Sequence, residues 1–330
     1  MKKESLFAKV QKHYRRGGVK EVLEKSRKIG SIKMGSAHAK LSWKMHGGIL
    51  PDDDIEMLRQ WEVYTFLNRK YADFIRKSDY LSAHEKENCQ TPKIIWWCWL
   101  QGEEKAPALC KANLAALRKN YPDYDIRVVT SDNIAQYVEM PAFIEEKFRN
   151  GEMQAAHYSD ILRTLLLIEH GGVWIDSTVF SSKRATDILE EPFFVYQNWM
   201  KENKAIACSS WLLVSTKNHP ILLLVRDLLF NYWHNHTYLA HYFLFHFFFH
   251  MATEKYQTLW KQMPLYSNVP VHVLQFELFQ PYDAKRFEQI MRMADFHKLT
   301  HHLNASTEGD VTGTNYEHII TMMGEKVDTK

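Results

Sequence analysis

The stretch "AAHYSDILRTLLLIEHGGVWIDSTVF", Ala155 to Phe180, holds an acid and a guanidinium three positions apart, Asp160 and Arg163, followed by a second acid, Asp176. Spaced by three, Asp160 and Arg163 share one face of a helix. The opposite set, Leu162, Leu165, Leu166 and Ile168, is apolar and is expected to pack on a sheet. Gly171-Gly172 ends the helix, the first glycine in the left-handed conformation it tolerates best. Val173-Trp174-Ile175 then reads as a short buried strand that delivers Asp176 to the C-terminal edge of a sheet. Carboxylates at such an edge do acid–base work or hold a metal ion, and a metal-binding enzyme usually places two. Here residue 178 is Thr. Spacing alone leaves two readings open. Either the three side chains meet at one rim, or Asp160–Arg163 is an intrahelical pair and Asp176 merely closes a strand.

Such a strand needs neighbours, and the preceding sequence supplies them. Ile94 to Leu100 in "TPKIIWWCWLQG" is a continuous apolar run of strand length, as expected of a strand buried on both faces. A helical segment (Ala108–Asn120), a turn at Tyr121-Pro122-Asp123 and a second strand, "YDIRVVT", follow, and two more helical stretches lead to Ala155. Strands alternating with helices predict an α/β domain with a mostly parallel, Rossmann-type sheet flanked by helices. Ligands bind beyond the C-terminal strand ends of such sheets, here near Trp99–Gly102, Thr130–Asn133 and Asp176–Thr178.

The first fifty residues differ from the rest. They hold thirteen Lys or Arg against three Glu, whereas the remainder holds 29 basic against 36 acidic residues. Glycines at 17, 18, 30, 35, 47 and 48 break this arm into short pieces. Asp52-Asp53-Asp54 resembles a helix start, and a helix from about Ile55 to Lys77 follows, with Met57, Trp61, Tyr64 and Leu67 along one side. Residues 1–85 are thus a basic helical lead-in and 86–330 the α/β domain. A basic arm on an acidic body points to an anionic membrane surface, with Leu6, Phe7, Val10 and Tyr14 supplying an apolar side; a solvated leader is the alternative. Nucleic acid is disfavoured because aromatics are not interleaved with the basic residues.

Leu228 to Thr253 contains no Asp, Glu, Lys or Arg, yet Asn231, Asn235 and five histidines argue against a bilayer span. It reads as a buried or membrane-facing amphipathic helix. His246 and His250 have metal-pair spacing but no third ligand signature, so they are assigned structural roles. Four cysteines without CxxC spacing, and no secretory signal, indicate a reducing cytoplasm. No GxxxxGK[ST] or HExxH occurs, which argues against a P-loop NTPase and a zinc hydrolase.

The pattern S-D-x-x-R-x-x-x-L-x-x-x-G-G-x-[YW]-x-D is met by Ser159, Asp160, Arg163, Leu167, Gly171, Gly172, Trp174 and Asp176. It resembles the sugar-nucleotide site of the Och1-like and toxin-like retaining glycosyltransferases, and most closely their relatives, the capsular polysaccharide synthesis glycosyltransferases. "PKIIWWCWLQG" is similar to that family's first strand, "NHTYLAHYFLFHFFF" to a helical segment of the capsular subgroup, and "HKLTHH" (His297–His302) to its C-terminal element. The resemblance runs in order from about residue 90 to 302.

The resemblance implies a GT-A-like fold, a UDP-hexose donor and a divalent cation, Mn²⁺ or Mg²⁺. It implies that Asp160 and Arg163 hold donor-sugar hydroxyls, with Arg163 also near phosphate. Trp99 is implied to stack on the base, uracil, with Gln101 and Lys298 completing the nucleotide-binding set. Asp176 matches the first acid of the family's DxD, and Thr178 stands where the second would be. A metal could then be held by Asp176 with His297 and the donor phosphates; the alternative is a metal-free site relying on Arg163 and Lys298. Gln197 and Asn198 in "YQNW" are either holders of sugar or acceptor, or ordinary loop amides, and Trp211 either walls an acceptor cleft or fills core. The function so implied is retaining transfer of galactose or glucose from a UDP-sugar to a lipid-diphosphate-linked glycan, on the cytoplasmic face of the membrane. The departure at Thr178 motivates a second reading, a non-catalytic assembly protein with a degenerate site.

Overall fold

The first apolar run forms a central strand because both its faces are covered. In the computed structural model, which describes residues 52–81, 90–185, 187–198, 205–301 and 311–324, strand β1 (Ile94–Cys98) buries Ile95, Trp96 and Trp97 completely. Helix α1 (Asp52–Lys77) precedes it, and helix α2 (Ala108–Asn120), strand β2 (Asp125–Val129), helix α3 (Ala142–Arg149) and helix α4 (Ala155–His170) follow. Then come β3 (Gly172–Ile175), β4 (Val179–Ser181), β5 (Phe193–Gln197), β6 (Cys208–Ser215), α5 (Pro220–Asn235), α6 (Leu244–Lys255) and, near the C-terminus, β7 (Phe296–Lys298).

The main sheet has the order β2-β1-β3-β6-β5. β1 pairs in parallel with both β2 and β3, while β6 is antiparallel to β3 and to β5. Four strands therefore run one way and β6 runs against them, giving the mixed α/β architecture with a mostly parallel sheet flanked by helices. A second, two-stranded sheet pairs β4 with β7 antiparallel, across more than one hundred residues of chain.

The α4–β3 turn is as tight as two glycines allow. Gly171 has φ 69° with ψ −163°, a positive-φ state outside the left-handed helical region that the sequence suggested. Its carbonyl accepts a hydrogen bond from the Trp96 indole at 2.9 Å. Gly172 has φ 98°, and a Cβ there would stand 2.6 Å from the Ile94 carbonyl oxygen. The glycine pair thus lets helix and strand close onto β1 with no intervening loop.

Two expectations change. In α1 the buried stripe is Gln60, Tyr64, Leu67 and Tyr71, whereas Trp61 is exposed; Tyr64 stacks on His250 of α6 at 4.8 Å and joins the main core. The charge-free stretch Leu228–Thr253 is not one helix: α5 ends at Asn235 and α6 begins at Leu244. Phe247, Phe248 and Phe249 of α6 are all buried in the core, so the run is hydrophobic because it is interior. No described helix is long and apolar enough to cross a membrane. The basic arm, residues 1–50, lies outside the described residues.

Candidate functional site

Asp176 is the first residue past β3, and its surroundings follow from strand alternation. Trp174, two positions earlier on the same face, donates its indole N–H to Asp176 Oδ1 at 2.8 Å. Arg163 Nη2 reaches the same oxygen at 3.3 Å, and Lys298 Nζ meets Oδ2 at 3.1 Å. The Lys298 ammonium also contacts Thr178 Oγ1 at 2.5 Å. Burial pushes the Asp176 carboxyl up, but Lys298, Arg163 and the Trp174 indole outweigh it and hold the group below the usual carboxylate range.

Arg163 is itself buried and bridges the two acids. Nη1 lies 3.2 Å from Asp160 Oδ1 and donates to the Ser210 carbonyl at 3.0 Å, while the guanidinium sits 5.1 Å from the Trp174 ring centroid. The other Asp160 oxygen is 3.5 Å from His157 Nδ1. Helix α4 can bury this polar face because its sides are covered by the sheet and by α5. These groups line a cavity of about 690 Å³ that opens past the C-terminal ends of β1 and β3, a volume suited to a ligand of nucleotide-sugar size.

The cavity gathers some of the residues singled out in sequence and leaves others aside. Asp160, Arg163, Asp176 and Lys298 converge on it, and Trp99 and Gln101 also line it. Trp99 meets the His301 ring edge-on at 5.5 Å. Thr130–Asn133 do not line it, because Asn133 closes its own turn through Thr130 N and the Val128 carbonyl. Gln197 and Asn198 also lie outside its lining. A register shift between Val195 and Gln197 breaks the pairing of β5, and the backbone N–H groups of Gln197 and Asn198 donate to the carbonyls of Tyr266 and Ala207. Trp211 fills core, stacked on Tyr196 at 4.9 Å, while its carbonyl accepts from Asp176 N.

Three further lining residues, His246, His157 and Tyr242, were not among the expected site residues. His246 of α6, read from the sequence as structural and not as half of a metal pair, lines the cavity, where burial pushes its ring down to about 4, so it is neutral near pH 7. His157 stands one helical turn before Asp160, and exposed Tyr242 meets the His157 ring edge-on at 5.6 Å. The i, i+3 spacing of His157 and Asp160 was the available signal for the first. Nothing in the sequence says which face of α6 turns to the site.

The donor set does not fit a divalent cation. Strand alternation on β7 sends Lys298 into the cavity and its neighbour His297 to the other side, fully buried and opposite Phe180 in the β4–β7 pairing. The expected Asp176–His297 ligand pair is therefore not formed. Both Asp176 oxygens already accept hydrogen bonds, and an ammonium lies between Asp176 and Thr178. Among the described residues no group of three or more His, Cys, Asp or Glu side chains is placed to hold a metal ion.

Known proteins resemble this chain in part. An O-glycosyltransferase, braB, of Annulohypoxylon truncatum is 28% identical over 119 residues, covering 32% of this chain and 28% of that protein. Inositol phosphoceramide mannosyltransferase 3 of Schizosaccharomyces pombe is 24% identical over 177 residues, covering 51% of this chain and 46% of that one. The chain thus spans less than half the length of either. The solved structure of the PaToxG glycosyltransferase aligns over 80% of this chain and 98% of its own at 18% identity, with a TM-score of 0.40. Residues 49–319, and with them the whole cavity, match the family described as capsular polysaccharide synthesis protein, and the chain belongs to that family.

Proposed function

We propose that this chain is a retaining glycosyltransferase that moves a hexose, galactose or glucose, from its UDP form to a lipid-linked glycan precursor in capsular polysaccharide synthesis, at the inner membrane face. The observation that carries the reading is Arg163, buried between Asp160 and Asp176 at the floor of a cavity large enough for a nucleotide sugar. Family membership and the two relatives named as glycosyl- and mannosyltransferases support the reaction class.

In this reading Trp99 stacks on the base and Gln101 stands at the rim. Asp160 accepts from sugar hydroxyls, its second oxygen kept oriented by His157, while Arg163 holds Asp160 and lies toward the diphosphate. As the bond from the sugar C1 to the β-phosphate oxygen breaks, its electron pair passes to that oxygen. The acceptor oxygen bonds to C1 from the same face, and its proton goes to the departing phosphate. The protein's contribution is charge fixed in place before reaction, usually the largest catalytic term.

A panel of UDP-hexoses and GDP-mannose, scored for slow donor hydrolysis by the full chain with and without Mn²⁺, tests this. Hydrolysis of at least one donor, abolished by Asp160→Ala, is the expected result. The presence of Thr178 in place of a second acid favours one other reading, a non-catalytic assembly protein. Calorimetry showing donor binding, together with no turnover of any donor, would establish that reading instead.

A further inference from the structure

We propose that Lys298 is the catalytic cation of this site, so that diphosphate binding and sugar transfer proceed without a divalent metal. The inference rests on the glycosyltransferase reading and adds to it the identity of the group that takes up the leaving charge. Four observations converge on the ammonium.

First, the carboxylate that would anchor a metal is already committed. Asp176 Oδ1 accepts from Trp174 and Arg163, and Oδ2 accepts from Lys298. Second, Thr178 Oγ1 lies 2.5 Å from Lys298 Nζ, so the residue in the second acid's position serves as a neutral seat for the ammonium. Third, the ammonium is placed by backbone. β4 and β7 pair Val179 with Lys298, and Leu299 N donates to the Thr178 carbonyl at 2.8 Å. Fourth, an ammonium has three N–H donors, two of which meet Asp176 and Thr178, and the Lys298 side chain lines the cavity with the third available to it.

The charges suit the chemistry. Asp160 and Asp176 balance Arg163 and Lys298, and the negative charge that grows on the β-phosphate oxygen as the C1–O bond breaks meets a fixed N–H of Lys298. Lys298 keeps its proton throughout, and the acceptor's proton ends on the phosphate. An ammonium is a point-charge donor to phosphate.

The test uses the full chain after EDTA treatment, with UDP, GDP and uridine as calorimetric probes and donor hydrolysis as a second readout. The wild type should bind UDP or GDP with an affinity that Mn²⁺ changes less than about twofold. Lys298→Gln should weaken the nucleoside diphosphate about 10- to 100-fold, as expected for loss of a charged hydrogen bond, while uridine binding is unchanged. Donor hydrolysis in EDTA should fall on the order of 100-fold. An unchanged thermal midpoint for Lys298→Gln guards against misfolding, and Thr178→Asp combined with Lys298→Gln should convert the site to one that needs Mn²⁺. Wild-type binding or turnover that requires Mn²⁺, or a Lys298→Gln protein that binds UDP and GDP normally, overturns the proposal. Metal-independent diphosphate binding lost in Lys298→Gln, with no donor turned over, would uphold Lys298 as the diphosphate's cation and sink the enzyme reading alone.

Discussion

Trp174 donates its indole N–H to Asp176, two residues further along the chain, at 2.8 Å. The same ring lies beneath the Arg163 guanidinium, so one side chain orients both the acid and the cation that acid meets. Trp174→Phe keeps a ring for the guanidinium and removes only the N–H. Donor hydrolysis should fall about tenfold, the scale of one buried hydrogen bond, with a small change in melting temperature. An unaltered rate would mean that Asp176 is held by its two cations alone.

Buried Arg163 bridges the buried Asp160 and the half-buried Asp176, and its loss leaves both without their shared partner. Arg163→Ala should cost about 3–5 kcal/mol of stability, read by denaturant unfolding. Arg163→Lys is the sharper variant, because a point ammonium keeps the charge but cannot bridge Asp160 and Asp176 as a planar fork does. It should fold normally and lose on the order of 100-fold in donor hydrolysis. Full activity in Arg163→Lys would reduce the guanidinium to a structural tie.

Gly172→Ala meets two obstacles together, a φ of 98° and a Cβ 2.6 Å from the Ile94 carbonyl oxygen. A loss of about 3 kcal/mol follows, seen as a drop of several degrees in thermal midpoint. Gly313→Ala is the matched control, with a φ of 71° but nothing within 4 Å of the added carbon. Equal losses in the two variants would show that backbone conformation, not the contact with β1, sets the requirement.

Burial pushes the rings of both His246 and His297 down to about 4. The unfolded chain, with ordinary histidines near 6.5, then binds protons that the folded chain refuses. Stability present above pH 6.5 should be lost progressively as pH falls from there toward 4, by on the order of 1 kcal/mol per pH unit for each ring. Thermal midpoints between pH 7.5 and 4.5 check the sign. A His297→Gln variant should show a shallower decline, and an identical slope would assign the acid sensitivity elsewhere.

The proposed membrane association rests on the basic arm. Deleting residues 1–50 should release the protein from vesicles containing phosphatidylserine while donor hydrolysis persists. Sedimentation with such vesicles reads the result, and undiminished binding by the shortened chain would remove the arm from the account.

The helix–glycine–strand unit from Ala155 to Asp176 was legible because local rules govern all of it: helical spacing, glycines at a tight turn, an apolar strand. The same holds for the strand expected over Ile94–Leu100, which forms as Ile94–Cys98, and for the helix Ala108–Asn120, which appears with the expected bounds. What local pattern cannot carry is which distant segments meet. Lys298 reaches Asp176 only because β4 and β7 pair across the chain. Once that register is known, alternation alone turns His297 away. The break between α5 and α6 falls at residues 236–243, which contain neither Gly nor Pro, so composition offered no sign of it. Gln197 was displaced by an irregularity in β5 that depends on its pairing with β6.

The β4–β7 pairing also bears on the order in which the molecule becomes competent. The helix and strand that carry both acids and the guanidinium are synthesised before their fourth charge, which Lys298 supplies 122 positions after Asp176. A polypeptide still growing on the ribosome can therefore fold its main sheet while the cavity lacks one cation. On the role proposed for Lys298, chemistry waits for β7, and a product truncated ahead of that strand would keep much of its architecture yet be inert.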